Sequence, residues 1–220
     1  MSYERERRQM LADIESDVTF TQELTGRDHL SEKVMSAMYR VHREDFVPDH
    51  LRYASFRDGP LPVGYGQTIS QPYIVALMTD LLELDENSVV LEIGTGTGYQ
   101  AAILSLLASK VYSIERIPEL AQTARQRLAE LGYDNVEIHC GDGYLGWQKD
   151  APFDGIIVTA AAAYVPPALL EQLKPGGRMV IPLGLPGMHQ DLMLITSNPQ
   201  GETEMKKILG VAFVPLVEGC

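Results

Sequence analysis

The chain has 220 residues, 45% hydrophobic and 22% charged, the balance of an ordinary globular protein large enough for one sizeable core. A formal net charge of −12 speaks against a surface built for nucleic-acid phosphates, and no apolar run is long enough to span a bilayer. The charged start, Met1 to Met10, has no apolar stretch behind it and does not read as a secretory signal. With only two cysteines, Cys140 and Cys220, far apart in sequence, a reduced, cytoplasmic protein is expected.

From Glu4 to about Leu24, the apolar residues Met10, Leu11, Ile14 and Val18 recur at helical spacing. They predict an amphipathic helix that packs on the core or mediates self-association. Thr25-Gly26-Arg27-Asp28 breaks it. Ser31 is placed to N-cap a second helix, with Leu30 stapled against Met35 and Val34, Met38 and Val41 as its apolar stripe. Val47-Pro48 ends that element. Asp58 to Pro72 is rich in proline and glycine, an irregular segment of the kind that often carries function. Ser70 reads as the N-cap of the helix that follows, Tyr73 to Leu82. A serine beside the free N–H groups of a helix start is also placed to hold a carboxylate.

Val89 to Ile93 is a short buried strand. Gly94, Gly96 and Gly98 follow as G-x-G-x-G, and Tyr99 to Ala108 reads as a helix. Strand, glycine turn and helix make the first half of a nucleotide-binding βαβ unit. The last glycine comes one residue earlier than in the dinucleotide fingerprint. Val111 to Glu115 is the next strand. Glu115 at its end either accepts the hydroxyls of a ribose or is a solvated strand terminus. Leu120, Ala124, Leu128 and Leu131 mark a helix from Glu119 to Leu131, stopped by Gly132. Val136 to His139 is a third strand, after which Asp142 is either part of an ordinary turn or an acceptor for a purine amino group. Cys140 reads as a small buried residue.

Phe153 to Thr159 is a fourth strand, leading into the small residues from Ala160 to Ala163. Pro167 to Leu173 reads as a short helix, Lys174 to Arg178 as a turn and Met179 to Gly184 as a fifth strand. Leu192–Ile195 and Val211–Leu216 are the expected final pair. The alternation predicts an α/β fold with a mainly parallel sheet, ligands lying at the strands' carboxyl ends where Glu92, Gly94–Gly98, Glu115 and Asp142 converge. The histidines His29, His42, His50, His139 and His189 show no ligand spacing and read as surface or satisfied core residues; no metal site is expected.

Taken together, these stretches resemble protein-L-isoaspartate O-methyltransferases. The resemblance is carried by Pro60–Gly64, Gly66–Pro72, Leu91–Gln100, Gly141–Gly143 and Phe153–Val165, with Gln67-Thr-Ile-Ser70 the specific part, and covers about residues 26 to 217. Val41-His42-Arg43, Ser55-Phe56 and Val75 depart from the commoner pattern; Val75 leaves no general base at its position. The resemblance implies one domain, 1–220, with the Rossmann-like, doubly wound sheet of class I methyltransferases. Residues 1–80 would give N-terminal helices and an active-site loop, and 81–217 the cofactor core.

The implied reaction moves a methyl group from S-adenosylmethionine to the free α-carboxyl of L-isoaspartyl residues in damaged proteins. It leaves S-adenosylhomocysteine and an ester that closes to a succinimide. Ser70 would be the active-site residue, with Gln67, Thr68, Ile69 and Val214 on the substrate. Thr68, Ile69, Ser70, Glu92, Gly94, Thr95, Gly96, Thr97, Gly98, Tyr99, Gln100, Glu115, Arg116, Asp142, Gly143 and Thr159 would serve the cofactor. Isoaspartyl proteins and peptides would be the partners of a monomer that meets neither nucleic acid nor membrane. The rival readings are a methyltransferase for small molecules or nucleic acid, an NAD-dependent oxidoreductase, and a cofactor-binding module without catalysis. The acidic charge disfavours nucleic acid, the glycine spacing disfavours NAD, and the intact Gln67-Thr-Ile-Ser70 stretch disfavours a non-catalytic module.

Overall fold

The computed structural model describes residues 3–185 and 187–219. Met1, Ser2, Pro186 and Cys220 lie outside the described residues, so the readings of the extreme N-terminus and of the second cysteine do too. Helix α1 (Glu4–Thr25) runs where the apolar period placed it and buries Met10, Ile14 and Val18. Helix α2 (Glu32–Arg40) starts after Ser31, but the serine hydroxyl makes no cap bond. Asp80 Oδ1 instead accepts the Ser31 N–H at 2.8 Å. A 3-10 turn, Arg43–Phe46, leads to Val47-Pro48.

The proline- and glycine-rich segment is more regular than its composition suggests. Strands β1 (Leu61–Gly64) and β2 (Gln67–Ile69) pair as an antiparallel hairpin. Tyr65 and Gly66 at its tip both have positive φ, 54° and 71°, the mirror-image turn that suits the twist of paired strands. Helix α3 (Pro72–Leu81) follows with all ten residues buried. Its cap position is Gln71, one residue later than expected, so Ser70 is not the N-cap. Asp58 causes the shift. Its Oδ1 accepts the Tyr73 N–H at 3.1 Å and its Oδ2 accepts the Gln71 side-chain amide. A carboxylate from before the hairpin thus caps the helix and leaves Ser70 outside it.

The core of the chain continues as β3 (Val89–Ile93), α4 (Tyr99–Ser105), β4 (Lys110–Glu115), α5 (Pro118–Glu130), β5 (Val136–Cys140), β6 (Phe153–Val158), α6 (Pro167–Glu171), β7 (Leu173–Leu183), β8 (Gln190–Ser197) and β9 (Thr203–Val211). Among the described residues seven strands form one sheet, ordered β5-β4-β3-β6-β7-β8-β9. The pairs from β5 through β7 are parallel, and β8 and β9 are antiparallel additions. Successive residues of β3 serve opposite faces. Val90 joins a core shared with α1 to α5, and Leu91 and Ile93 join a second core shared with α6. The sheet is therefore covered on both sides, as a buried parallel sheet must be.

Two strand boundaries and one burial differ from expectation. Lys174–Arg178 is not a separate turn but part of β7, where Phe153 pairs with Leu173 and Gly155 with Arg178, so the residues between bulge outward. The final strand is β9 rather than Val211–Leu216. Its exposed, charged edge, with Lys206 and Lys207 adjacent, hides the alternation a strand reading depends on. Cys140 is half-buried at the end of β5. After β3 the chain builds outward through β4 and β5, then returns to place β6 on the other side of β3. That reversal opens a crevice at the carboxyl ends of β3, β4 and β6.

Candidate active site

The glycine turn after β3 is fastened to the end of β4. Gly94 N–H and Thr95 N–H both donate to the Ile114 carbonyl, at 2.8 and 3.3 Å. Gly96 N–H donates to Glu115 Oε2 at 2.7 Å, and Ile117 N–H donates to Glu115 Oε1 at 2.9 Å. One carboxylate therefore holds the turn and the start of the next segment together. Gly94, at φ 97°, is fixed by close approach: a Cβ there would stand 2.4 Å from Thr159 Oγ1. That hydroxyl donates to the carbonyls of Ile93 and Gly94 at 3.0 and 2.7 Å. Gly96, at φ 55°, instead faces open space.

Two cavities meet above this frame. The first holds about 650 Å³, open mouth included, and is walled by the glycine turn, Glu115, Arg116, Gly143, Thr159, Gln67 and Thr68. Ile93, Ile114, Ile117, Ala160 and the segment Val214–Val217 complete it. The second, about 950 Å³, contains Ser70 with Pro60, Gln71, Ile74, His189 and the segment Gly210–Val214. Thr68, Thr159 and Val214 belong to both walls. Crossing from β9 back over β6, the strap after Val211 is pinned by reciprocal bonds of 2.8 Å, Ala161 N–H to Val214 O and Leu216 N–H to Ala161 O.

Of the residues singled out from sequence, Gln67, Thr68, Gly94, Gly96, Glu115, Arg116, Gly143, Thr159 and Val214 face the first cavity, and Ser70 faces the second. Ile69, Glu92, Thr95, Thr97, Gly98, Tyr99, Gln100 and Asp142 line neither cavity. Ile69 packs into the core. Tyr99 lies beneath the Arg43 guanidinium, 5.2 Å from ring centroid to Cζ. Gln100 Nε2 donates to Thr79 Oγ1 at 2.9 Å, and the Thr97 carbonyl accepts from Arg127 at 2.8 Å. Gly98 forms the left-handed entry to α4. Asp142 spends one oxygen on the Tyr144 N–H, at 2.9 Å, and the other on the Gly219 N–H, at 2.7 Å. The Gly219 carbonyl in turn accepts from Arg116 Nε at 2.9 Å. The apolar walls, the strap beyond Val214, Asp58 and His189 were not found from sequence. Ile114 and Ile117, which bracket Glu115-Arg116, were the available hint.

Glu92 sits behind the turn and is wholly buried. Parallel pairing sets it beside Ser113, whose hydroxyl donates to Glu92 Oε2; Ser113 Oγ also lies 2.6 Å from Thr95 Oγ1. Burial, reinforced by the nearby Glu115 and opposed by the Ser113 bond, pushes its carboxyl up to about 8. Near neutrality Glu92 is mainly the uncharged acid, a hydrogen-bonding post under the turn.

The family model for protein-L-isoaspartate(D-aspartate) O-methyltransferase matches residues 17–220. The chain belongs to this family. It is 56% identical over 217 residues to the protein-L-isoaspartate O-methyltransferase 2 of Syntrophobacter fumaroxidans, covering 99% of this chain and 88% of that one. Its counterpart in Nitrosococcus oceani is 54% identical over 209 residues, 95% of each. A solved protein-L-isoaspartate O-methyltransferase superposes with a TM-score of 0.81 at 28% identity, over 95% of this chain and 65% of that one. A putative protein-L-isoaspartate O-methyltransferase from Plasmodium falciparum, solved with S-adenosyl-L-homocysteine, shares the fold with a TM-score of 0.75 at 22% identity, over 93% of this chain and 97% of that one. The first cavity fits the cofactor such methyltransferases use. It offers a cradle at Gly96 that a Cβ would enter, a carboxylate with lone pairs to spare, and apolar walls for a purine.

Because the Glu92 carboxyl is raised, its contribution to stability is complete below the ordinary carboxyl range. It is lost as pH rises through about 8. Glu92→Gln keeps a neutral, hydrogen-bonding side chain. Urea denaturation should show the wild type losing stability from about pH 5 to about pH 8 and the variant losing less. Equal slopes would contradict the buried neutral acid.

Proposed function

We propose the roles of individual residues in the reaction this methyltransferase catalyses: transfer of a methyl group from S-adenosylmethionine to the free α-carboxyl of L-isoaspartyl residues in damaged proteins. The observation that carries the assignment is the shared wall of Thr68, Thr159 and Val214, with the glycine turn and Glu115 on one side and Ser70 on the other. S-adenosylmethionine supplies both the methyl group and its leaving group. Glu115 accepts the ribose hydroxyls with the lone pairs left by Gly96 and Ile117, and Ile114, Ile117, Leu216 and Val217 enclose the purine. Glu92, Thr95, Tyr99 and Gln100 support the turn from behind.

The accepting carboxyl has an ordinary pKa of about 3.5, so it reaches the site already anionic and needs no general base. Ser70 donates a hydrogen bond to that carboxylate and aims one oxygen across the shared wall, and Thr68 holds the other oxygen. Asp58 positions Ser70 by capping α3 through Gln71 and Tyr73. The strap Val214–Val217 shields the reacting atoms from water. Residues 1–80 supply the N-terminal helices and the active-site loop, and 81–217 the cofactor-binding core, of one domain. Its substrates are isoaspartyl proteins and peptides. The protein acts as a cytoplasmic monomer, and its acidic charge speaks against a nucleic-acid substrate.

Ser70→Ala removes one hydrogen bond to a charged group, about 1.5–3 kcal/mol, and should lower kcat about ten- to hundredfold while leaving S-adenosylhomocysteine affinity within about twofold. Single-turnover kinetics and calorimetry read the two effects separately. Unchanged turnover, or a trapped seryl ester, would refute the orienting role. Glu115→Ala should show the opposite split: cofactor affinity falls about tenfold or more, together with a loss of stability as two half-buried N–H groups lose their acceptor. Unchanged calorimetric affinity would refute the ribose assignment.

A further inference from the structure

His189 is the one imidazole among the residues walling the Ser70 cavity, and its neighbours in that wall carry no charge. The ring is exposed to the cavity yet held on two sides. Its Nε2 lies 2.6 Å from Asp191 Oδ1, and Lys207 Nζ lies 2.8 Å from the same oxygen. The bond from Lys207, then that from His189, holds Asp191 below the usual carboxylate range, so it is an acceptor only. The proton between them therefore belongs to Nε2, which leaves Nδ1 for another partner. No described residue bonds Nδ1.

Gly210 supplies the second constraint. It has no positive φ to account for a glycine. A Cβ there would stand 3.3 Å from His189 Cε1, close enough to displace the ring. Asp191 and Gly210 are thus positioning residues, one fixing the ring's tautomer and the other giving it a seat.

We propose that His189 is a substrate-binding residue whose Nδ1 hydrogen-bonds the peptide main chain flanking the isoaspartyl residue in the Ser70 cavity. With its proton on Nε2 toward Asp191, the ring presents the Nδ1 lone pair, which accepts a main-chain N–H. A main-chain contact is indifferent to flanking side chains, which suits an enzyme whose substrates arise wherever damage falls. The proposal rests on the isoaspartyl activity above.

Its test is steady-state kinetics of the full chain with three isoaspartyl peptides carrying an acidic, a basic or an apolar residue next to the damaged one. His189→Ala should raise KM about three- to tenfold for all three, the cost of one neutral hydrogen bond. Both kcat and S-adenosylhomocysteine affinity should stay within about twofold. Gly210→Ala should raise KM in the same direction, and the double variant should do little more than His189→Ala alone. Unchanged KM, a rise confined to one peptide, or a fall in kcat instead would overturn the assignment. A wild type that methylates none of the three would overturn the isoaspartyl activity, and this inference with it.

Discussion

The structure depends on one carboxylate, that of Glu115, bonded to two backbone N–H groups on either side of the crevice floor. Gly96 N–H at 2.7 Å and Ile117 N–H at 2.9 Å tie the glycine turn to the end of β4. Without that acceptor, two half-buried donors would lose their partner and the turn its tie to β4. The arrangement is stabilising and also functional. A carboxylate offers about four acceptor sites, so the group that fixes the turn retains capacity toward a ligand. Two other supports converge on the same turn: Thr159 clasps the carbonyls of Ile93 and Gly94, and the Glu92–Ser113–Thr95 chain props it from behind. The cradle is therefore held in shape by its own hydrogen bonds.

Such rigidity matches the chemistry. The acceptor is anionic before it binds and the donor carries its own leaving group, so little remains except alignment and exclusion of water. A hairpin, a helix start and a strap divide that work. The hairpin brings Thr68 to the shared wall, Asp58 fixes the turn that carries Ser70, and the strap after β9 crosses the junction at Val214. Elements far apart in sequence meet at one edge because the sheet order reverses beside β3.

The regular parts of the fold were legible, since α1 and α5 carry a helical apolar period and β3, β4 and β6 are short, mostly apolar runs of a sheet covered on both faces. Glycine spacing and the acid ending β4 located the crevice and the turn. What escaped was direction and distance. Ile93 lines the cavity, and strand alternation turns its neighbour Glu92 to the opposite face, where it meets Ser113. Ser70 looked like a helix cap because local pattern does not reveal a carboxylate twelve residues upstream taking that duty. Asp142 also accepts the Gly219 N–H, a contact spanning 77 positions that no local pattern shows. His189 was passed over because its partners, Asp191 and Gly210, come together only when β8 and β9 pair.

The central claim is that this site recognises the isoaspartyl linkage itself. The direct measurement is transfer of label from methyl-labelled S-adenosylmethionine to two peptides of the same sequence, one with an isoaspartyl linkage and one with ordinary aspartate. Base-labile label is expected on the isoaspartyl peptide alone. Equal label on both peptides, or label on neither while the cofactor still binds, would contradict it.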